Sequence, residues 1–242
     1  MYGSWVLVIL FFISSLPVIA VFIWLRTVKY NLSVIRFLFA LLAGAAAFFP
    51  ALILQEYLLF LAVPQGRAAL FFEFFIRIAF TEELSRLFML FIFFFISGIV
   101  SGKAVAGYNE NPIQPLAFNN VNEGIAVGLI AGLGFSILEN ASYAASGLGV
   151  SIILLRVFTA ALHGACGSRI GAAAVMFRAS PFQALLRIII ATAIHGVYNF
   201  MITIPGFFPP IAAYIIAVSA LITAILTIRS DSQSNAVSSS DD

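Results

Sequence analysis

Charge is scarce in this chain: 12 basic and 10 acidic side chains among 242 residues, 9% of the sequence. There is a single cysteine, Cys166, which excludes an internal disulfide and a cysteine-rich metal site. Its setting among glycines marks it as a small packing residue. No basic run points to a nucleic-acid partner, and a net charge of +2 says little about partners. The period-2 alternation of a transmembrane barrel is missing. So are any internal repeat and the HExxH signature of a zinc-protease helix. The opening MYGSWVLVILFF has neither a positive n-region nor a small-residue cleavage site, so it reads as a retained first span.

What is present is apolar. Hydrophobic residues make up 62% of the chain, 26 of them phenylalanine, and the mean hydropathy is +1.10. Stretches of about 20 apolar residues read as membrane spans. The composition therefore predicts an all-α, polytopic transmembrane bundle in a cell membrane. Seven spans fit, at 5–25, 34–63, 70–100, 123–145, 151–177, 183–203 and 210–228. Pro17 is expected to kink the first, and the second is long enough to tilt or to break near Pro50. Residues 1–228 form one domain, and the tail 229–242 (RSDSQSNAVSSSDD) is too polar to pack and is expected to be disordered. Arg26, Lys29, Arg36, Lys103, Arg178 and Arg229 fall on one side of this arrangement and Arg67 on the other. The positive-inside rule then puts the N-terminus outside and the tail in the cytoplasm.

Against this background a few ionisable residues stand out inside the spans, where they are expensive and by default functional. Glu82 and Glu83 sit in IAFTEELSRLFML, Glu139 in FSILENASY, and the only two histidines, His163 and His195, in AALHGACG and ATAIHGVYNF. Glu82 and His163 each lie 12 residues into spans that begin outside, roughly 18 Å down at 1.5 Å per residue. Glu139 and His195 lie about 10–12 Å from the outer ends of theirs on the same scale. Four separate spans thus place ionisable groups in one layer, in the outer half of the bilayer.

Helical spacing groups these residues further. Glu82 and Arg86 are four apart and share a face, while the adjacent Glu83 diverges towards another neighbour, unless Arg86 sits between both. A buried Glu82–Arg86 salt bridge holding helices in register would account for one carboxylate and leave Glu83 unexplained. Glu73 and Arg77 repeat the spacing and read as a structural pair. Glu139 shares a face with Tyr143, with Asn140 beside it. Gly124, Gly128 and Gly132 precede them at four-residue spacing, a small face that lets another helix come close. Arg156 lies seven residues before His163, and Gly164, Gly167 and Gly171 follow it. His195 and Asn199 share one face and can present two donors to a single oxygen, as an oxyanion site requires.

With no serine or cysteine nucleophile in the pattern, two hydrolytic mechanisms remain open. A glutamate can act as general base, with a histidine orienting the attacking water. Alternatively a zinc ion held by Glu83, His163 and His195 can acidify that water. A third reading, from another class, is a transporter or channel using Glu83, Glu139 and His163 as a proton or cation relay.

EELSR, FSILEN with its downstream tyrosine, His163 followed by glycine, and HGVYN, in this order on successive helices, resemble the PrsW family of intramembrane proteases. That family is related to the wider CAAX-protease and bacteriocin-processing group. The resemblance spans residues 81–199. It implies Glu82 and Glu83 as a catalytic pair, His163 as a partner in water activation, Glu139 and Asn140 as motif residues, and His195 and Asn199 as the second histidine site. Arg86 makes this motif EExxR, whereas the wider group has EExxxR. The implied activity is endoproteolysis of a membrane-anchored protein such as an anti-sigma factor, with zinc or with no cofactor.

Overall fold

In a bilayer every backbone polar group must be satisfied within its own segment, so an apolar chain without a closed barrel folds as helices. The computed structural model, which describes residues 4–59, 66–100, 121–145 and 158–238, is helical almost throughout. α1 (Ser4–Thr27) and α2 (Val34–Leu59) run through Pro17 and Pro50 without a break. α3 (Arg67–Phe71), a π-helical segment (Phe72–Phe80) and α4 (Thr81–Val100) follow one another as one rod. α5 (Val121–Ala145), α6 (Thr159–Met176), α7 (Pro181–Thr203) and α8 (Phe208–Ser238) complete the bundle, and no strand occurs among the described residues.

Four of these helices are long and apolar enough to cross a membrane by length and composition: residues Val34–Leu59, Val121–Tyr143, Pro181–Thr203 and Phe208–Ser230. Phe11–Thr27 is apolar but shorter. The rod containing α4 carries Glu73, Arg77, Glu82, Glu83 and Arg86, which lowers its hydropathy, and α6 is rich in glycine and alanine. The ends of two expected spans (60–63 and 151–157), Arg156 and the polar loop with Lys103 lie outside the described residues. α8 continues to Ser238, so the first ten residues of the expected disordered tail extend the last helix. A helix already nucleated in apolar sequence propagates at one hydrogen bond per added residue, without packing of its own.

Apolar side chains cover the outside of the bundle, and a polar cluster lies within its apolar core. Phe12, Leu42, Phe49, Phe88, Phe182 and Ile215 point outward, while Glu82, Glu83, Arg86, His163 and His195 are buried. α5 is the central post, packed against α1, α2, α4, α6 and α8. Its glycine face meets the glycine face of α6 backbone to backbone. A Cβ on Gly128 would lie 2.1 Å from the Gly167 carbonyl oxygen, and one on Gly132 would lie 1.9 Å from that of His163. Gly124 meets Gly171 in the same way, so the two helices run antiparallel. α2 makes a second close crossing of α5, where Gly44 abuts the Ala131 backbone.

These approaches leave no room for a methyl group. Gly128→Ala should destabilise the folded protein by roughly 1–3 kcal/mol, the usual cost of overpacking. Gly164→Ala is the control: its nearest neighbour is the flexible Leu129 Cδ1, 2.9 Å away. Thermal unfolding in detergent should show a large loss for the first and little for the second. Equal stability in both would refute backbone-limited packing of α5 on α6.

Candidate active site

The rod delivers the two glutamates. Within the π-helical segment the Glu73 carboxylate accepts from the Arg77 guanidinium, as the spacing predicts. At its end the Thr81 hydroxyl donates to the carbonyls of Arg77 (2.6 Å) and Ile78 (3.0 Å), closing the change from π to α geometry. The next two residues are Glu82 and Glu83. Single turns of π-helix inside α-helices recur at functional sites; here the wide segment runs for nine residues.

Arg86 is fully buried and sits between both acids, nearer to Glu83. Its Nη1 donates to Glu83 Oε2 at 2.7 Å, while its Nη2 lies 3.7 Å from Glu82 Oε2. The same Nη2 is 3.2 Å from His163 Nδ1. A guanidinium only donates, so Nδ1 carries the lone pair and His163 Nε2–H donates to Glu139 Oε2, at 2.7 Å. His195 Nδ1–H donates to Glu83 Oε1 at 2.8 Å, which turns its Nε2 towards Glu82 Oε2, 3.7 Å away. The two imidazoles meet edge to face with centroids 5.2 Å apart. Phe135 closes one side, under Arg86 at 4.6 Å and beside His163 at 5.3 Å.

The groups that depth arithmetic placed in one layer therefore touch. α6 presents His163 at the point where its backbone meets Gly132. Side chains tilt towards the N-terminus of their helix, which carries the imidazole along antiparallel α5 to Glu139. Asn140 is buried beside Glu139, and Tyr143 lies on the more exposed edge of α5. Asn199 is half-buried one turn beyond His195. Cys166 is buried, with its thiol 3.5 Å from the Ala191 carbonyl oxygen, as a packing residue between α6 and α7.

Glu82 is bound differently from Glu83. Its Oε1 accepts from Gln55 Nε2 of α2 at 3.2 Å, and its buried Oε2 has no hydrogen-bond partner among the described residues. Gln55 is a site residue that a survey of charged groups passes over. The available signal was a lone amide in the apolar run PALILQEYLLF.

Does this site suit a metal ion? Glu82, His163 and His195 each offer a ligand atom, all within 4.8 Å of one another. This set differs from the expected Glu83, His163 and His195 by one carboxylate, because Arg86 and His195 already engage both Glu83 oxygens. Each histidine also has a carboxylate on its other nitrogen, Glu83 for His195 and Glu139 for His163, the arrangement that fixes imidazoles at metal centres. With the imidazoles neutral, Glu82 and Glu83 share the guanidinium of Arg86, and a cation beside Glu82 would offset the second carboxylate. The Arg86 contact with His163 Nδ1 would have to yield for that nitrogen to become a ligand. On donor chemistry and on the unpartnered Glu82 oxygen, the residues fit.

No curated protein and no solved structure matches the chain at a significant level. The sequence profile of the PrsW family intramembrane metalloproteases matches residues 33–226, which include α2 with Gln55 and every residue of the cluster. The chain belongs to the PrsW family of intramembrane metalloproteases.

Proposed function

We propose that this protein is an intramembrane endopeptidase that hydrolyses a peptide bond of a membrane-anchored protein, using a divalent ion of the zinc class held by Glu82, His163 and His195. The observation that carries the proposal is the buried Glu82 Oε2, which accepts no hydrogen bond among the described residues and faces two histidines that carboxylates already hold in place. When bound, such an ion supplies Lewis acidity to the scissile carbonyl and lets water ionise near neutral pH. The remaining work falls to the chain. Glu83 and Glu139 fix the tautomer and direction of His195 and His163. Arg86 anchors Glu83 and offsets the carboxylate charge. Gln55 holds Glu82 Oε1, which leaves Oε2 for the chemistry. Without an ion the same oxygen is an uncommitted acceptor and would take the water's proton as general base.

Family membership favours this reading over the proton or cation relay. The substrate class, a membrane protein such as an anti-sigma factor, rests on the family resemblance alone. The same proposal includes seven passes, an outer N-terminus and a site in the outer half of the bilayer, on the distribution of basic residues.

Glu82→Gln and His163→Ala should lower cleavage of a membrane-anchored reporter at least about 100-fold while the protein stays folded in the membrane. Wild-type rates in both would sink the site. Glu83→Gln should behave differently, weakening metal affinity roughly 10–100-fold and recovering part of its activity in excess zinc.

Chelation should abolish wild-type activity, and zinc should restore it. Full activity after exhaustive chelation would assign the reaction to the Glu82 general base instead. Gln55→Ala should leave the fold intact and reduce kcat by about 10-fold, the worth of one hydrogen bond to a charged group at the low end. An unchanged kcat would remove Gln55 from the site.

A further inference from the structure

The opposite half of the bundle holds cations that the hydrolytic site does not use. Arg169 on α6 is partly buried and bonds only neutral acceptors: Nη1 to the carbonyls of Ala165 (2.8 Å) and Ala220 (3.3 Å), Nη2 to the Thr223 hydroxyl (3.1 Å). Arg187 on α7 is half-buried, and no described carboxylate pairs with either residue. The Cys166–Ala191 contact sets the antiparallel register of α6 and α7, which brings Arg169 and Arg187 to one level. The two guanidinium groups therefore stand at one depth on two packed helices. Both lie about 10 Å from the α6–α7 turn, counting 1.5 Å per residue. That turn carries Arg178, and α8 adds the exposed Arg229 on the same side.

Two like charges held together at membrane depth repel, and burying them without a counter-ion is costly. Neutral carbonyls orient Arg169 but do not cancel its charge. Long arginine side chains extend towards the headgroup layer from positions of this depth. The surface around them is that of a lipid-facing seam, with Leu185, Leu186, Ile190 and Leu226 exposed. A counter-ion for this place must be anionic, must match planar guanidinium donors, and must bring apolar chains with it. A phosphate-bearing lipid meets all three requirements.

We propose that Arg169 and Arg187, on the basic side of the bundle, form a binding site for the phosphate headgroup of an anionic phospholipid, whose acyl chains lie along α7 and α8. The positive-inside rule makes this the cytoplasmic leaflet. The bound lipid completes the charge balance of α6, the helix whose other half carries His163.

Native mass spectrometry of the full-length protein, released from micelles containing phosphatidylglycerol or phosphatidylcholine, tests this directly. The wild type should retain phosphatidylglycerol and shed phosphatidylcholine. Arg187→Gln, which breaks no bond within the described structure, should weaken retention about fivefold, the worth of one basic residue at an anionic surface. Arg169→Gln/Arg187→Gln should abolish it, and Arg169→Lys/Arg187→Lys, which keeps both charges, should restore most of it if the double glutamine variant fails to fold. Arg26→Gln/Lys29→Gln, on the same membrane face, should have no effect. Equal loss in that control would show diffuse surface attraction and overturn the site, as would undiminished retention in Arg187→Gln. Inorganic phosphate that binds wild type alone, and displaces the lipid at millimolar concentration, would overturn the assignment to a lipid in favour of a soluble phosphate site.

Discussion

The interior of this bundle is organised around one buried cation. Arg86 has no exposed surface, and its guanidinium holds Glu83, approaches Glu82 and contacts His163. A lone guanidinium at that depth would cost several kcal/mol in desolvation, and so would each carboxylate beside it. Together they are tolerable, because each supplies the counter-charge or hydrogen bond that the others need. The arrangement is cooperative in a demanding sense, since removing one member leaves buried charge uncompensated in its neighbours. The guanidinium comes from one turn of one helix, whereas the imidazoles come from two others. The ion pair lies within α4, but its contacts with the two histidines depend on three helices standing in the correct register.

Between α5 and α6 the register is set by glycine rather than by the charges. α5 and α6 approach until backbone touches backbone at Gly128–Gly167 and Gly132–His163. No side chain intervenes to slide or repack. In lipid such contact is a main source of helix association, because apolar burial no longer distinguishes one helix from the surrounding acyl chains. The consequence for the site is positional. His163 is fixed at its own carbonyl by Gly132, and its imidazole then reaches Glu139 and Arg86. Packing and chemistry share the residue, so a methyl group on Gly132 would displace the histidine as well as the helix.

Much of this was legible in the sequence, for identifiable reasons. Glu82, Glu83, Glu139, His163 and His195 were visible because each interrupts an apolar run, and a fixed helical rise converts position into depth. Gly124, Gly128 and Gly132 announced a close approach through their spacing alone. Other features left no such trace. Arg86 lies within reach of residues three and four before it, and spacing cannot choose between them; the structure places it nearer Glu83. Gln55 is uncharged, so it did not stand out although it bonds Glu82. The π-helical stretch at Phe72–Phe80 has the same apolar composition as its α-helical surroundings, and nothing in FEFFIRIAF distinguishes the two.

The family resemblance implies the two adjacent glutamates as a catalytic pair, yet their geometry makes them unequal. Neighbouring residues on a helix point about 100° apart, so they cannot present their oxygens to the same place. Glu83 turns inward, and both its oxygens are taken, one by Arg86 and one by His195. An oxygen that already accepts a strong bond at 2.7 or 2.8 Å is poorly placed to accept a proton or a cation as well. Glu82 turns towards α2 and the histidine pair and meets one weak donor, and its Oε2 accepts no hydrogen bond among the described residues. The division follows from angle and partner supply rather than from any chemical difference between two identical side chains. One glutamate holds a histidine, and the other keeps an oxygen without a hydrogen bond among the described residues. A buried acceptor without a donor costs stability, and the proposed ligand is what would offset that cost at Glu82 Oε2.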